Sequence, residues 1–131
     1  MFYGCENAPE EVKKLYSDLK KCWSAETCAP RMRAGWSGRN PALGQCSVTA
    51  FLAQDLLGGE VWGVPLAEGG FHCFNMVNGV LFDLTSEQFP EGSIDYSARV
   101  PQLRKAHFAK EEKYKRYLLL RSRLYALRGG N

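Results

Sequence analysis

A chain of 131 residues with 45% hydrophobic and 24% charged side chains has the balance of one folded domain, residues 1–131, and excludes disorder as a description of the whole. Its net charge of +3 is too small by itself to indicate nucleic acid, and no apolar run approaches the ~20 residues of a membrane span. The opening stretch MFYGCENAPEEVKK has no basic segment leading into an apolar one, so no secretory signal is expected and the expected location is cytoplasmic.

In chain order, the first expected element is a helix from Pro9 to Trp23, with Val12, Leu15, Tyr16 and Leu19 on one face. Residues 24–44 hold Pro30, Gly35, Gly38, Asn40-Pro41 and Gly44 and read as a long loop, a type of segment often used for function. A second helix is expected from Cys46 to Leu57, with Val48, Phe51, Leu52 and Leu56 as its buried stripe and Gly58-Gly59 as its stop. The period then changes to that of strands at Glu60–Leu66, Phe71–Val77 and Val80–Leu84, the last two joined by the hairpin signal Asn78-Gly79. Thr85 and Gln88 fit a capping box, Pro90 to Pro101 reads as irregular, and a last helix is expected from Phe108 to Arg128. Strands grouped after helices indicate the α+β class.

The five cysteines, Cys5, Cys22, Cys28, Cys46 and Cys73, form an odd set without a secretory signal and read as thiols in a reducing compartment. No CxxC pair supports a closed zinc site. A set of Cys46, His72, Cys73 and Asp83 is disfavoured as a metal site because adjacent strand residues point to opposite faces. Neither metal nor cofactor is expected.

Cys46 follows Gly44-Gln45 at the expected start of a helix, where free N–H groups and the dipole favour a thiolate. The competing reading is a small buried thiol, which is accepted for Cys5, Cys22 and Cys28. A two-residue turn at Asn78-Gly79 pairs Val77 with Val80, which sets Phe74 opposite Asp83 and puts His72 and Asp83 diagonally on one face. Asp83 would then orient the His72 ring; the competing reading is an exposed polar pair on the solvent side of a hairpin, at even weight. Cys46, His72 and Asp83 thus supply a nucleophile, a base and an orienter. An oxyanion would be met by the Cys46 N–H with Asn40 or Gln45, Asn40 being equally readable as a plain Asn-Pro turn. Trp36 is the tryptophan placed to line a pocket.

The last helix carries seven cations, Lys110 to Arg128, against Glu111 and Glu112. A solvated cationic face opposite Tyr117, Leu120, Leu124 and Leu127 is favoured over an RNA-binding surface.

The runs Asn40-Pro41-Ala42, Gly44-Gln45-Cys46-Ser47-Val48-Thr49-Ala50, Gln54-Asp55, Gly58-Gly59-Glu60, His72 with Asn75, Asp83-Leu84-Thr85, Gln88-Phe89 and Arg116-Tyr117-Leu118-Leu119-Leu120 resemble the small bacterial YunG-like proteins, from about Trp36 to Leu124. More distantly, the layout is similar to the papain-like and transglutaminase-like cysteine hydrolases. That resemblance implies a core with a nucleophile helix packed on a small antiparallel sheet, flanked by N- and C-terminal helices. It implies Cys46 as nucleophile, His72 as base, Asp83 as orienter and Asn40 at the oxyanion position. The expected activity is hydrolysis or acyl transfer on an amide, ester or thioester of a small molecule or peptide. The other class in view is a non-catalytic binding or regulatory module on the same fold. Neither specific nucleic-acid binding nor membrane attachment is expected, and nothing indicates an oligomeric state.

Overall fold

A computed structural model of the chain describes residues 1–130. The first helix, α1, spans Glu10–Lys20 and buries Val12, Leu15, Tyr16 and Leu19 as its pattern predicts. Pro9 precedes it in an extended conformation (φ −61°, ψ 160°) instead of opening its first turn, and the helix stops short of Trp23. Residues 24–44 contain no long element but include one 3-10 turn, Pro30–Gly35.

The second helix, α2, occupies Cys46–Leu57, the expected span, and is buried continuously from Ser47 to Ala53. Such burial follows from its position between the sheet and the C-terminal helix: Val48 and Leu52 join the main core, whereas Ala50 and Phe51 pack with Val61 and Cys73 of the sheet. Trp23 Nε1 donates to Thr49 Oγ1 at 2.9 Å, fixing the end of the first segment to α2. At Gly59 (φ 76°) a Cβ would lie 2.3 Å from the Met76 carbonyl oxygen, so only glycine lets the chain enter the sheet this closely.

The sheet is antiparallel in the order β3-β2-β1-β4, with β1 at Glu60–Pro65, β2 at Phe71–Val77, β3 at Val80–Phe82 and β4 at Val100–Pro101. Asn78 (φ 51°) and Gly79 (φ 79°) form the expected turn, and Val77 pairs with Val80 in the expected register. β1 ends one residue earlier than expected, and β3 stops at Phe82, before the expected Leu84. There Asp83 leaves β2, and its N–H donates instead to the Tyr3 carbonyl at 2.9 Å. The stretch expected to be irregular contains a 3-10 turn, Tyr96–Ala98, and β4, which pairs with Trp62 and Gly63. Two residues, one of them proline, offer no alternation to read.

The C-terminal helix expected from Phe108 to Arg128 begins three residues later, as α4 at Glu111–Leu127, and a short helix that the sequence did not announce, α3 at Arg104–Phe108, precedes it. Lys110 is extended (φ −82°, ψ 108°) although neither glycine nor proline marks the break. The bend brings His107 and Phe108 onto Phe51, with ring centroids 5.1 and 5.3 Å away. Tyr117, Leu120 and Leu124 are buried, each leucine contributing about 1.5–3 kcal/mol. Leu127 departs from the expected face and is 45% exposed. Nor is the cationic face simply solvated: Arg116, Arg123 and Arg128 donate to the Thr27 carbonyl, the Cys22 carbonyl and Asp18, strapping α4 to the region around the end of α1. Among the described residues no helix is long and apolar enough to cross a membrane.

Candidate functional site

Cys46 is the first residue of α2 and the one cysteine among five that is not fully buried; all five are free thiols. No side chain caps α2, so its first-turn N–H groups remain free beside the sulfur and favour negative charge there. The preceding Gly44 (φ 71°) passes so close to the next layer that a Cβ would stand 2.4 Å from Cys28 Sγ. Gln88 holds this approach from the other side, its Oε1 accepting from Gly44 N–H at 3.2 Å and its Nε2 donating to the Thr85 carbonyl at 3.1 Å.

His72 on β2 and Asp83 just past β3 are both 0% exposed, which overturns the reading of a solvent-facing polar pair. The diagonal relation set by the hairpin brings His72 Nε2 to 2.6 Å from Asp83 Oδ2. Asp83 is saturated with donors. Tyr96 OH reaches the same Oδ2 at 2.6 Å, and Thr85 gives its N–H (3.2 Å) and hydroxyl (3.4 Å) to Oδ1. The Thr85 hydroxyl therefore does not cap the following turn, contrary to the capping-box expectation. Phe89 stands edge-on to the His72 ring at 4.7 Å. The remaining ring nitrogen, Nδ1, is buried with no partner at hydrogen-bond geometry, and is the nitrogen left for the sulfur.

The electrostatics couple the three residues. The Cys46 thiol is held well below the ordinary range, foremost by the neighbouring thiol of Cys73 and then, against the opposing effect of burial, by the proximity and charge of His72. Burial, the largest influence on His72, disfavours its charge. The bond to the Asp83 carboxylate and the nearby Cys46 sulfur outweigh it and lift the imidazole to about 10. Cys73 is pushed the opposite way from Cys46, by the Cys46 sulfur and by burial. Both shifts favour a thiolate–imidazolium pair, and the opposite shifts of the two sulfurs favour its negative charge on Cys46 and not on Cys73.

The three residues assigned to oxyanion or substrate contact lie elsewhere. Asn40 lines a separate pocket with Tyr16, Lys20 and Trp23. Gln45 is fully buried and its Nε2 donates to the Ser24 carbonyl at 3.0 Å. Trp36 donates to the Pro41 carbonyl at 3.0 Å and does not line the Cys46 cleft. Short spacing to a nucleophile within an irregular loop fixes no direction for a side chain, and here the loop turns these groups away.

The cleft containing Cys46 has a volume of about 410 Å³ and is walled by the Pro30–Gly35 turn, the loop after β1, Phe89 and the start of α4. Behind it lies a group the sequence did not reveal. Lys113 Nζ donates to His107 Nδ1 at 2.9 Å, and His107 Nε2 donates to Gln102 Oε1 at 2.7 Å. Burial and the ammonium of Lys113 pull His107 down to about 4, so it is neutral. Among the described residues no three His, Cys, Asp or Glu side chains are placed to hold a metal ion. Tyr96 and Lys113 sit on elements remote in sequence from Cys46, and no local pattern announces them.

A family model described as YunG protein matches residues 11–128. The chain is 36% identical over 107 residues to "Uncharacterized protein YunG" of Bacillus subtilis (strain 168), a stretch covering 80% of this chain and 84% of that one. No solved structure matches the chain.

Proposed function

This chain belongs to the YunG family, and we propose that it is a cysteine hydrolase or acyltransferase working through Cys46, His72 and Asp83. The observation that carries this reading is the buried 2.6 Å bond between His72 Nε2 and Asp83, which leaves Nδ1 unpartnered beside a helix-opening thiol in an open cleft. A buried ion pair satisfied on one side and open on the other is what a proton-transferring base requires. The core is on this reading a small variant of the papain-like and transglutaminase-like arrangement, supported by α2 with its leading cysteine against an antiparallel sheet that carries the histidine. Five free thiols support a cytoplasmic setting.

In the reaction, the Cys46 thiolate attacks the carbonyl carbon of an amide, ester or thioester, and the carbonyl electron pair moves onto oxygen. The Cys46 backbone N–H, free at the start of α2, is the donor available to that oxyanion. Collapse re-forms the carbonyl and expels the leaving group, which takes the His72 proton. Water, or an acceptor amine or alcohol, then attacks the thioester as His72 removes its proton, and the thiolate returns. Asp83, held by Tyr96 and Thr85, stabilises the imidazolium and does not move.

The test is to mix the protein with p-nitrophenyl acetate and map acetylated residues by mass spectrometry after rapid acid quench. The expected result is acetyl-Cys46, absent from Cys46→Ala. Acetylation confined to other residues, or equal release of p-nitrophenol by Cys46→Ala, overturns the proposal.

A further inference from the structure

Four cationic side chains, Arg31, Lys110, Lys113 and Arg116, line the Cys46 cleft against one carboxylate, that of Glu112. Glu112 is committed to Arg116 through two bonds, of 2.8 and 3.2 Å. Among the described residues the other three cations have no carboxylate within ion-pairing distance. Lys113 is the most constrained. It is half-buried, its bonded partner is the neutral ring of His107, and burial lowers its proton affinity. Its counter-charge in the free protein is the nearby Cys46 sulfur, which favours the ammonium but loses its charge on acylation, and an anion entering the cleft takes over that role. Arg31 reaches across from the opposite wall, its Nη2 lying 4.0 Å from where a Cβ on Gly70 would stand.

Lys110 and Lys113 also flank the first turn of α4, a 17-residue helix with no side-chain cap. The two glutamates of that turn pair with Lys115 and Arg116, leaving its N–H groups to favour an anion as well. Met32, Phe71 and Phe89 supply apolar surface in the same cleft.

We propose that the acyl substrate of this cleft carries an anionic group besides its reacting carbonyl, a carboxylate in the first instance, held by Arg31, Lys110 and Lys113; this rests on Cys46 being the nucleophile. Thioester formation at Cys46 removes the thiolate charge, and the substrate anion keeps Lys113 compensated through the intermediate.

Two measurements test this, one of which does not need the nucleophile. In Cys46→Ala protein, 15N-resolved NMR is used to follow titration with succinate, its uncharged counterpart succinamide, and inorganic phosphate. Succinate is expected to shift the amides of residues 31, 110 and 113 and to saturate. Succinamide should leave them unmoved, and the double variant Arg31→Gln/Lys110→Gln should weaken the succinate response at least 5-fold. A response to phosphate alone reassigns the bound oxyanion and overturns the carboxylate assignment. In the wild type, the ratio of Cys46 alkylation by iodoacetate to that by iodoacetamide should exceed the ratio for N-acetylcysteine about 10-fold and fall toward it in the double variant, a difference of about 1.4 kcal/mol. Fast alkylation of Cys46 by both reagents at the free-thiol ratio, with no succinate response, overturns the anion proposal and leaves the nucleophile intact. Slow alkylation with a clear succinate response does the reverse.

Discussion

His72 and His107 are both drawn into the fold, and burial disfavours the charge on both. Yet the first is lifted to about 10 and the second pulled down to about 4. The difference lies in what each ring was given as a partner. His72 faces the Asp83 carboxylate and the Cys46 sulfur, both of which favour the imidazolium. His107 faces the Lys113 ammonium, which opposes it. Burial alone thus decides little about a histidine; the sign of the neighbouring charge decides whether it becomes a stored proton or a neutral strut.

The two rings also divide the pH scale. A group raised from its ordinary 6.5 stabilises the fold fully below that value and loses its contribution as pH climbs toward about 10. A group lowered from the same value stabilises above it and loses its contribution as pH falls toward about 4. Stability measured by denaturant unfolding should therefore fall on both sides of the region near pH 6.5, with a different histidine behind each limb.

The strongest way to break this contrast is Asp83→Asn, which leaves an imidazolium buried without its carboxylate. We expect a loss on the order of 3–5 kcal/mol at neutral pH, read by urea unfolding, together with a flattened alkaline limb. Unchanged stability and unchanged alkylation of Cys46 would remove Asp83 from the pair. Tyr96→Phe is gentler, withdrawing one of the donors to Asp83 Oδ2. A hydrogen bond to a charged group is worth about 1.5–3 kcal/mol, so a melting-temperature drop without any change of fold by circular dichroism is the expected result. A melting temperature equal to wild type would mean that Tyr96 does not hold the carboxylate.

His72→Asn should slow iodoacetamide alkylation of Cys46 at pH 7. Cys73 and the start of α2 still favour the thiolate in that variant, so the thiol moves only part of the way back to its ordinary range and the net loss is about 3-fold. Peptide mapping after limiting reagent reads this directly, and a wild type in which Cys22 or Cys28 labels first contradicts the coupling. The smallest effect is expected for His107→Gln, which keeps a polar side chain next to Lys113 and removes the titrating ring. The acid limb between pH 6.5 and about 4 should flatten and the alkaline limb should not change. An unchanged acid limb would assign acid sensitivity to other groups.

The parts of this site that were legible in the sequence are those fixed by local geometry. Asn78-Gly79 admits one tight turn, and that turn sets the register that brings Asp83 to His72. Gly44 and the apolar run after it place Cys46 at the head of α2. Asn40, Gln45 and Trp36 were misdirected because nearness along a loop carries no orientation, and their amide and indole groups are engaged by Ser24 and Pro41 or lie in another pocket. Tyr96, Lys113 and His107 escaped notice because they reach the site through tertiary packing alone. The break at Ala109-Lys110 escaped for a related reason: it is enforced by His107 and Phe108 docking on Phe51, with no residue of low helix propensity to mark it.

Tyr3 ties the N-terminal stretch to the hairpin end. Its carbonyl accepts from Asp83, its N–H donates to Ser86 Oγ, 83 residues along the chain, and its ring stacks on Tyr96 at 4.1 Å. The hairpin that bears His72 closes over a short loop and is fast to form, whereas contacts of such sequence separation carry a loop-closure cost and form late. The ring and its carboxylate are therefore brought together early in folding, but the contacts that fix the Asp83 backbone and back the Tyr96 ring arrive only when residue 3 docks. An affinity tag or extension placed ahead of residue 3 competes with that docking step and with the burial of Phe2, so the site would sense such a fusion as slower maturation and a looser Asp83.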